Sequence, residues 1–336
     1  MPDRRLQPLY RVGGLQRDAS CAFRYKIRMT DGKSTSVAAA TGRLSLEWLN
    51  LEFASICNLR CKWCSLDHDK PKQFMSRELL AKVLDDVITA PGIRLDRIEL
   101  HNAGETLLHP DLPGMFAEIA QRKARLPRIN LLTNAGPLNA ARTAVILESG
   151  AIDDIRFSVD GGTRELFEDL RRPAKWASIR ANIHAFLDAN AKAERRLRTG
   201  IICIVDPSRP LTTDWMEPEF RELFARIDDV SLRHPHNWDG SAELGIDDRG
   251  YEQHAQAMLA KKKVCYFLIK DMVVLPNGDA TVCCADLNSR GVIGNANQST
   301  LRELHFSHRR QEMLRLFEAG RKNDIDLCRG CTGYYL

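Results

Sequence analysis

Cys57, Cys61 and Cys64 stand at C-x3-C-x2-C spacing within Cys57-Asn58-Leu59-Arg60-Cys61-Lys62-Trp63-Cys64, directly after a strand-like run from Leu49 to Ser55. Three thiolates without a fourth suit an iron-sulfur cluster that keeps one iron open, whereas a structural zinc site closes on four ligands. An open iron is a place for a reaction. Far along the chain Cys265, Cys283, Cys328 and Cys331 form a second group, the last two within Cys328-Arg329-Gly330-Cys331. Four thiolates close a site, around a second cluster or around zinc. Of the ten cysteines, Cys21, Cys203 and Cys284 are left over.

The rest of the composition is that of a globular chain. With 336 residues, 44% apolar and 28% charged, it can bury a full core and has room for about two domains, or one large barrel with an appendage. The formal charge is +5, and basic clusters such as Arg195-Arg196, Lys261-Lys262-Lys263 and Arg309-Arg310 are scattered. Solvated faces are therefore expected, not a nucleic-acid surface. Met1-Pro2-Asp3-Arg4-Arg5-Leu6 lacks the apolar core of a signal peptide, and no run approaches the roughly 18 apolar residues of a membrane helix. A cytoplasmic protein without membrane or nucleic-acid partners is expected. In that reducing setting, spaced cysteines read as metal ligands more than as disulfides.

The elements that must position these groups alternate. Residues 1–45 show no clear period and read as a lead-in, with a short hairpin around Asp31-Gly32. Leu49 to Phe53 alternates as a strand; after the cysteine loop Ser76 can cap a helix carrying Leu79, Leu80, Val83, Leu84, Val87 and Ile88 on one stripe. The unit recurs: Arg97–Leu100 leads through His101-Asn102-Ala103-Gly104-Glu105 to a helix after Pro113, and Ile129–Leu132 leads through Thr133-Asn134-Ala135-Gly136 to a helix ending at Gly150. Ile155–Val159 leads through Asp160-Gly161-Gly162 to more helix, and Trp176 to Leu197 reads as one long helix. Ile201–Val205 and Val230–Leu232 complete about six strand-helix units, the pattern of a parallel sheet with helical crossovers. The predicted fold is α/β: a partial (β/α)6 TIM-like barrel whose strand-end loops converge on a site. A link near Asp239-Gly240 and a helix over Tyr251–Lys262 precede a change of pattern. Met272–Leu275 and Ala280–Val282 flank Pro276-Asn277-Gly278-Asp279 as a hairpin, and a helix from Thr300 to Ala319 follows. A small C-terminal hairpin-plus-helix iron-sulfur domain results, giving three parts: 1–45, 46–240 and 241–336.

The first motif and its surrounding loops resemble the radical S-adenosylmethionine (SAM) superfamily over residues 47–240. The cysteine spacing matches, with the aromatic Trp63 before the third cysteine. Ala103-Gly104-Glu105 resembles that family's glycine-glycine-glutamate motif, with alanine in place of the first glycine, and Thr133-Asn134 and Ser158-Val159-Asp160 lie where its ribose-contacting residues do. The tail cysteines, with Val282-Cys283-Cys284-Ala285-Asp286 and Gly291-Val292-Ile293-Gly294-Asn295, resemble the SPASM/Twitch extension. Its spacing is similar to that of the aminocyclitol (2-deoxy-scyllo-inosamine type) dehydrogenases.

The resemblance implies a 4Fe-4S cluster on Cys57, Cys61 and Cys64 that binds SAM, and a second, auxiliary 4Fe-4S cluster on Cys265, Cys283, Cys328 and Cys331. It implies SAM contacts from Trp63, Ala103, Gly104, Glu105, Thr133, Asn134, Ser158 and Asp160, with Arg171 placed to pair the SAM carboxylate. A 5′-deoxyadenosyl radical would abstract a substrate hydrogen, and a flavodoxin- or ferredoxin-type donor would supply the initiating electron. A closed auxiliary cluster suits acceptance of a second electron, hence oxidation of a secondary alcohol in a sugar or aminocyclitol-like molecule. Arg233 and His236, leaving the sixth strand, are candidates to stabilise charge and take a proton. Two other outcomes stay open: epimerisation, with Cys284 giving a hydrogen atom back to the substrate radical, and maturation of a ribosomal peptide.

Overall fold

The computed structural model describes residues 44–90, 92–244 and 265–332. Most of the 1–45 lead-in, with Cys21 and the hairpin expected at Asp31-Gly32, and the helix expected over Tyr251–Lys262 lie outside the described residues. The described chain begins with β1 (Leu44–Leu51), β2 (Arg60–Cys61), α1 (Arg77–Thr89), β3 (Ile93–Leu100), α2 (Leu112–Arg122), β4 (Arg128–Thr133) and α3 (Ala140–Glu148). It continues through β5 (Asp154–Ser158), α4 (Arg164–Leu170), β6 (Arg171–Arg172), α5 (Trp176–Asn190), β7 (Arg198–Ile204), α6 (Pro218–Ala225) and β8 (Asp229–Arg233). The C-terminal part holds α7 (Tyr266–Lys270), β9 (Asp271–Val274), β10 (Asp279–Thr281), β11 (Val292–Asn295), α8 (Leu301–His305) and α9 (His308–Glu318).

Six parallel strands in the order β1-β3-β4-β5-β7-β8 form the expected partial barrel. Alternation along each strand separates two faces. Leu49, Leu51, Ile98, Leu100, Ile129, Leu131, Ile155, Phe157 and Ile201 are buried in the core that also takes Leu80, Val83, Phe116, Ile146, Ile183 and Phe220 from the helices. The other face, read along the register from Asn50 to Glu99, Asn130, Asp154 and Arg198, is polar. The helices start where side chains cap them: Ser76 accepts from Leu79 N, Asp111 from Gly114 N and Asn139 from Arg142 N.

The C-terminal hairpin does not stand apart. β9 pairs parallel to β1, Trp48 beside Asp271 and Leu51 beside Val274, and β10 and β11 follow antiparallel, so one nine-stranded sheet runs through. An open six-stranded barrel leaves the β1 edge unpaired, and β9 covers it. Two helices are shorter than their sequences suggest. α5 stops at Asn190, whose side-chain amide exchanges two hydrogen bonds with the backbone of Leu197 and turns the chain back to β7. The helix expected from Thr300 to Ala319 is two, α8 and α9, because Ser307 caps a new start by accepting from Arg310 N.

Candidate functional site

The first cysteine loop is held from both sides. Arg60 and Cys61, as β2, pair antiparallel with Arg171 and Arg172 of β6, and Lys62 N donates to Leu170 O at 2.8 Å. This brings the buried Arg171 guanidinium beside Cys61 and Cys57, where its charge favours their thiolates. Burial acts the other way and dominates: it pushes the Cys61 thiol up to about 12 and raises Cys57 and Cys64. A cationic group bound among them would reverse that balance, as bound metal does for thiols. Asn134 Nδ2 reaches Cys57 Sγ at 3.7 Å and Asn58 Oδ1 at 2.9 Å, tying the loop after β4 to this one.

Glu105 organises the neighbouring loops. It is buried, and its carboxylate accepts from the Thr133 hydroxyl at 2.7 Å, Asn134 N at 2.8 Å and Leu107 N at 3.1 Å. Burial nevertheless raises its pKa. Gly104 approaches the protein's own backbone: a Cβ there would lie 1.8 Å from Ala54 O and 2.6 Å from Ile56 O, so only glycine fits. Asn102 Nδ2 and Ala103 N both donate to the buried Glu52, and the Ala103 side chain packs with Leu66 and Leu287 against Cys57 and Cys64. Ser158 ends β5 half-buried beside Ile202. Asp160 accepts from Arg171 Nε and from Ile204 N, both at 2.8 Å. Arg171 thus already has a buried carboxylate partner on its own chain.

The second cysteine group gathers as its spacing suggests. Cys265 precedes α7, Cys283 follows β10, and each lies within electrostatic reach of Cys328, with Cys331 near Cys265 and Cys328. Burial pushes Cys265 up to about 12. Lys322 Nζ donates to the carbonyls of both Cys328 and Cys331, at 2.8 and 2.9 Å. The Cys284 side chain stays beside Cys283 and also reaches Asp271, its backbone N–H donates to Asp271 Oδ2 at 3.0 Å, and Asp271 Oδ1 accepts from Asn50 Nδ2 at 2.5 Å. No three His, Cys, Asp or Glu side chains among the described residues converge to the distances of a single bound ion. Ligands of a multi-iron cluster surround a larger body and do not converge on one point.

Several residues that the sequence did not single out, together with Trp63, join the two regions. Asn288 Oδ1 accepts from Asp67 N at 2.9 Å and its Nδ2 donates to Ser65 O at 2.7 Å, while Lys70 Nζ donates to Leu287 O at 2.8 Å. Trp63 Nε1 donates to Leu244 O, and Trp63 O accepts from Trp238 Nε1 at 2.6 Å. Density of Asn, Asp and Gly near residue 240 was the available signal, since such residues build specific turns as readily as links.

The sheet face turned away from the helices stays polar along the strands. Arg97, Arg128, Asn130, Asp154, Arg156 and Arg198 border a cavity of about 350 Å³ at the start of these strands. Asn130 Nδ2 donates to Glu99, and its buried Oδ1 has no hydrogen-bond partner. Higher on the same face Arg233 donates to Ser231 Oγ at 3.0 Å. His236 lies beyond it, its pKa lowered to about 3 by burial and then by Arg233, and its Nδ1 accepts from Trp238 N at 3.0 Å. A neutral imidazole so weakly basic orients neighbours better than it takes protons.

The thiol sets, the cationic Arg171 and the closely packed loops fit iron-sulfur chemistry. Comparison with known proteins agrees. Residues 51–206 match the model of the radical SAM superfamily, and residues 265–332 match that of the SPASM iron-sulfur cluster-binding domain. A GTP 3′,8-cyclase from Streptomyces coelicolor is 26% identical over 206 residues, 59% of this chain and 57% of that protein. The chain thus spans less than two thirds of that relative's length. Among solved structures, BtrN in complex with AdoMet and 2-DOIA superposes with a TM-score of 0.56 at 18% identity, over 86% of this chain and 94% of that one. Streptococcus suis SuiB bound to precursor peptide SuiA gives 0.60 at 14% identity, over 88% and 73%. Among the described residues no helix is long and apolar enough to cross a membrane. The chain belongs to the radical SAM superfamily and carries a SPASM domain, so it is a radical SAM enzyme whose cofactors are SAM, a 4Fe-4S cluster and auxiliary iron-sulfur.

Proposed function

We propose that this radical SAM enzyme oxidises a secondary alcohol of a polar, hydroxyl-rich small molecule of sugar or aminocyclitol type. The observation that carries the reading is a polar group at the C-terminal ends of the strands, on the side of the first cysteine loop, where Arg233 closes β8 and the buried Oδ1 of Asn102, after β3, lacks a donor. A hydroxyl or amine would satisfy that oxygen, whereas an apolar guest would leave it unpaired at a cost of about 1–3 kcal/mol. When bound, the SAM cluster supplies a 5′-deoxyadenosyl radical for hydrogen abstraction, and the auxiliary cluster accepts the substrate's second electron.

In this reading Cys57, Cys61 and Cys64 hold the first cluster, and Cys265, Cys283, Cys328 and Cys331 the second. Arg171, locked to Asp160, steadies the charge of the first cysteine loop. Glu105 holds the Thr133-Asn134 loop at the SAM pocket, with Trp63, Ala103 and Gly104 forming its wall and Ser158 its far side. Arg233 orients the substrate oxygen, and His236 keeps Trp238 in place. The alcohol carbon would give one hydrogen atom to the 5′-deoxyadenosyl radical, forming 5′-deoxyadenosine, and would then lose one electron to the auxiliary cluster and its hydroxyl proton to solvent, giving a ketone. A flavodoxin- or ferredoxin-type protein delivers the initiating electron. The experiment is to offer the anaerobically reconstituted, reduced enzyme a panel of aminocyclitols and sugars deuterated at their carbinol carbons. Deuterium in 5′-deoxyadenosine together with a ketone supports the reading; deuterium with no change of oxidation state refutes it.

A second reading, epimerisation, has one observation in its favour. Cys284 joins through Asp271 to Asn50, so the residue is connected to the polar face of the sheet. There its S–H would return a hydrogen atom to the substrate radical, and one electron and one proton from the external donor would restore the thiol. Cys284→Ala separates the readings, because a dehydrogenase keeps turnover and an epimerase does not.

A further inference from the structure

The chain leaving the sixth barrel strand touches both cysteine loops within four residues. Trp238 donates its indole N–H to Trp63 O at 2.6 Å, and that carbonyl belongs to the peptide bond of Cys64. Its neighbour Asn237 donates Nδ2–H to Gly330 O at 3.0 Å, the carbonyl of the peptide bond to Cys331, and its Oδ1 accepts from Thr332 N and Oγ1 at 3.2 and 3.1 Å. Asp239, buried, accepts from Arg290 Nη1 at 2.9 Å, and Arg290 also holds Asp326. Gly240, at φ +95°, lies against Gly330 so closely that a Cβ would come 2.4 Å from its backbone.

A loose connection would not be built this way. Trp238 itself has φ +56°, a left-handed conformation that is rare for a bulky side chain and persists only where the surroundings fix it. The conformation lets consecutive side chains point to opposite partners: the indole toward the first cysteine loop, the Asn237 amide toward the last.

We infer that Asn237 and Trp238 are positioning residues, a joint that sets the two cysteine loops in register with each other, so that order at one cluster site is transmitted to the other. The inference rests on the reading that each loop holds a cluster. It predicts effects across the joint: loss of the Asn237 contact, which touches only the C-terminal loop, loosens the three-cysteine site, and loss of the Trp238 contact loosens the four-cysteine site.

The test uses the reconstituted full chain and its Trp238→Phe and Asn237→Asp variants. Trp238→Phe keeps an aromatic ring without the N–H, and Asn237→Asp keeps the acceptor without the Nδ2–H donor. Iron release to a chelator is followed at each site, the two resolved by electron paramagnetic resonance. The same two substitutions are repeated in a chain lacking Cys57, Cys61 and Cys64, where only the four-cysteine site remains. The expected result is that each variant speeds release at the site it does not touch by about fivefold, the factor one ordinary hydrogen bond is worth. Release altered only at the touched site overturns the joint while leaving the two-cluster reading intact. A parent holding one cluster instead of two overturns both. If Trp238→Phe fails to fold, Asn237→Asp on the solvent-facing side of the joint decides alone by its effect on the three-cysteine site.

Discussion

Glu105 takes the Thr133 hydroxyl on one carboxylate oxygen, at 2.7 Å, and the Asn134 N–H on the other, at 2.8 Å. A single buried side chain therefore fixes the loop after β4, which in turn reaches Cys57 through Asn134. Glu105→Gln turns one acceptor into a donor facing N–H or O–H groups. It should cost the unliganded chain about 2 kcal/mol in urea unfolding and weaken SAM binding measured by calorimetry. Unchanged values in both would remove Glu105 from this role.

The Arg171–Asp160 pair is buried, at 2.8 Å. Removing one partner strands the other, at about 3–5 kcal/mol. Arg171→Gln should therefore destabilise far more than Arg171→Gln combined with Asp160→Asn, a coupling that a double-mutant cycle reads directly. Additive losses would mean that the pair does not act as a unit.

Two 4Fe-4S clusters correspond to about eight irons per chain after anaerobic reconstitution. Replacing Cys57, Cys61 and Cys64 together with alanine should leave about four and abolish SAM cleavage. Replacing Cys328 and Cys331 should also remove about four but leave some reductive formation of 5′-deoxyadenosine. A parent content near four would contradict the auxiliary cluster.

Two buried histidines should weaken the fold in acid. Burial, followed by nearby cations, lowers His236 to about 3 and His305 to about 2. An unfolded imidazole titrates near 6.5. Below that value the unfolded chain binds protons that the folded chain refuses, so the contribution of these two histidines falls as pH drops from about 6.5, against an opposite slope from the buried Asp271, which burial pushes up to about 7. The slope is about 1.4 kcal/mol per pH unit for each histidine. His305→Gln should therefore narrow the gap between urea midpoints at pH about 5 and about 7; an unchanged gap would show that the folded His305 takes up its proton normally.

What the sequence disclosed was local. The C-x3-C-x2-C loop, the Ser76 cap and the six-strand alternation are set by residues close to one another in the chain, and all three stand in the structure. Gly104 was legible as part of a motif and as a SAM contact, whereas the close approach that demands glycine there is to the backbone of Ala54 and Ile56. Asp160 and Arg171 could each be singled out, whereas their union depends on the antiparallel bridge of Cys61 to Arg171, made by residues 110 positions apart (171 − 61). Asn237, Trp238 and Asn288 carry no period at all. Their partners lie on remote loops, and single polar contacts leave no mark on hydrophobic patterning. The β9 hairpin was legible from its turn, but alternation cannot say which strand a neighbour will be.

That last pairing has a consequence for how the chain comes into being. β1 is synthesised early, and its partner β9 late, with Asn50 and Asp271 separated by 221 positions. At about 5–20 residues per second, the outer edge of β1 waits about 10–40 s on the ribosome for its partner. During that interval β3 through β8 can already close on the other side, so the nascent barrel leaves the β1 edge bare and able to pair with another nascent chain. The C-terminal segment thus ends this vulnerable period, and truncation before Asp271 should give aggregates instead of a smaller soluble barrel.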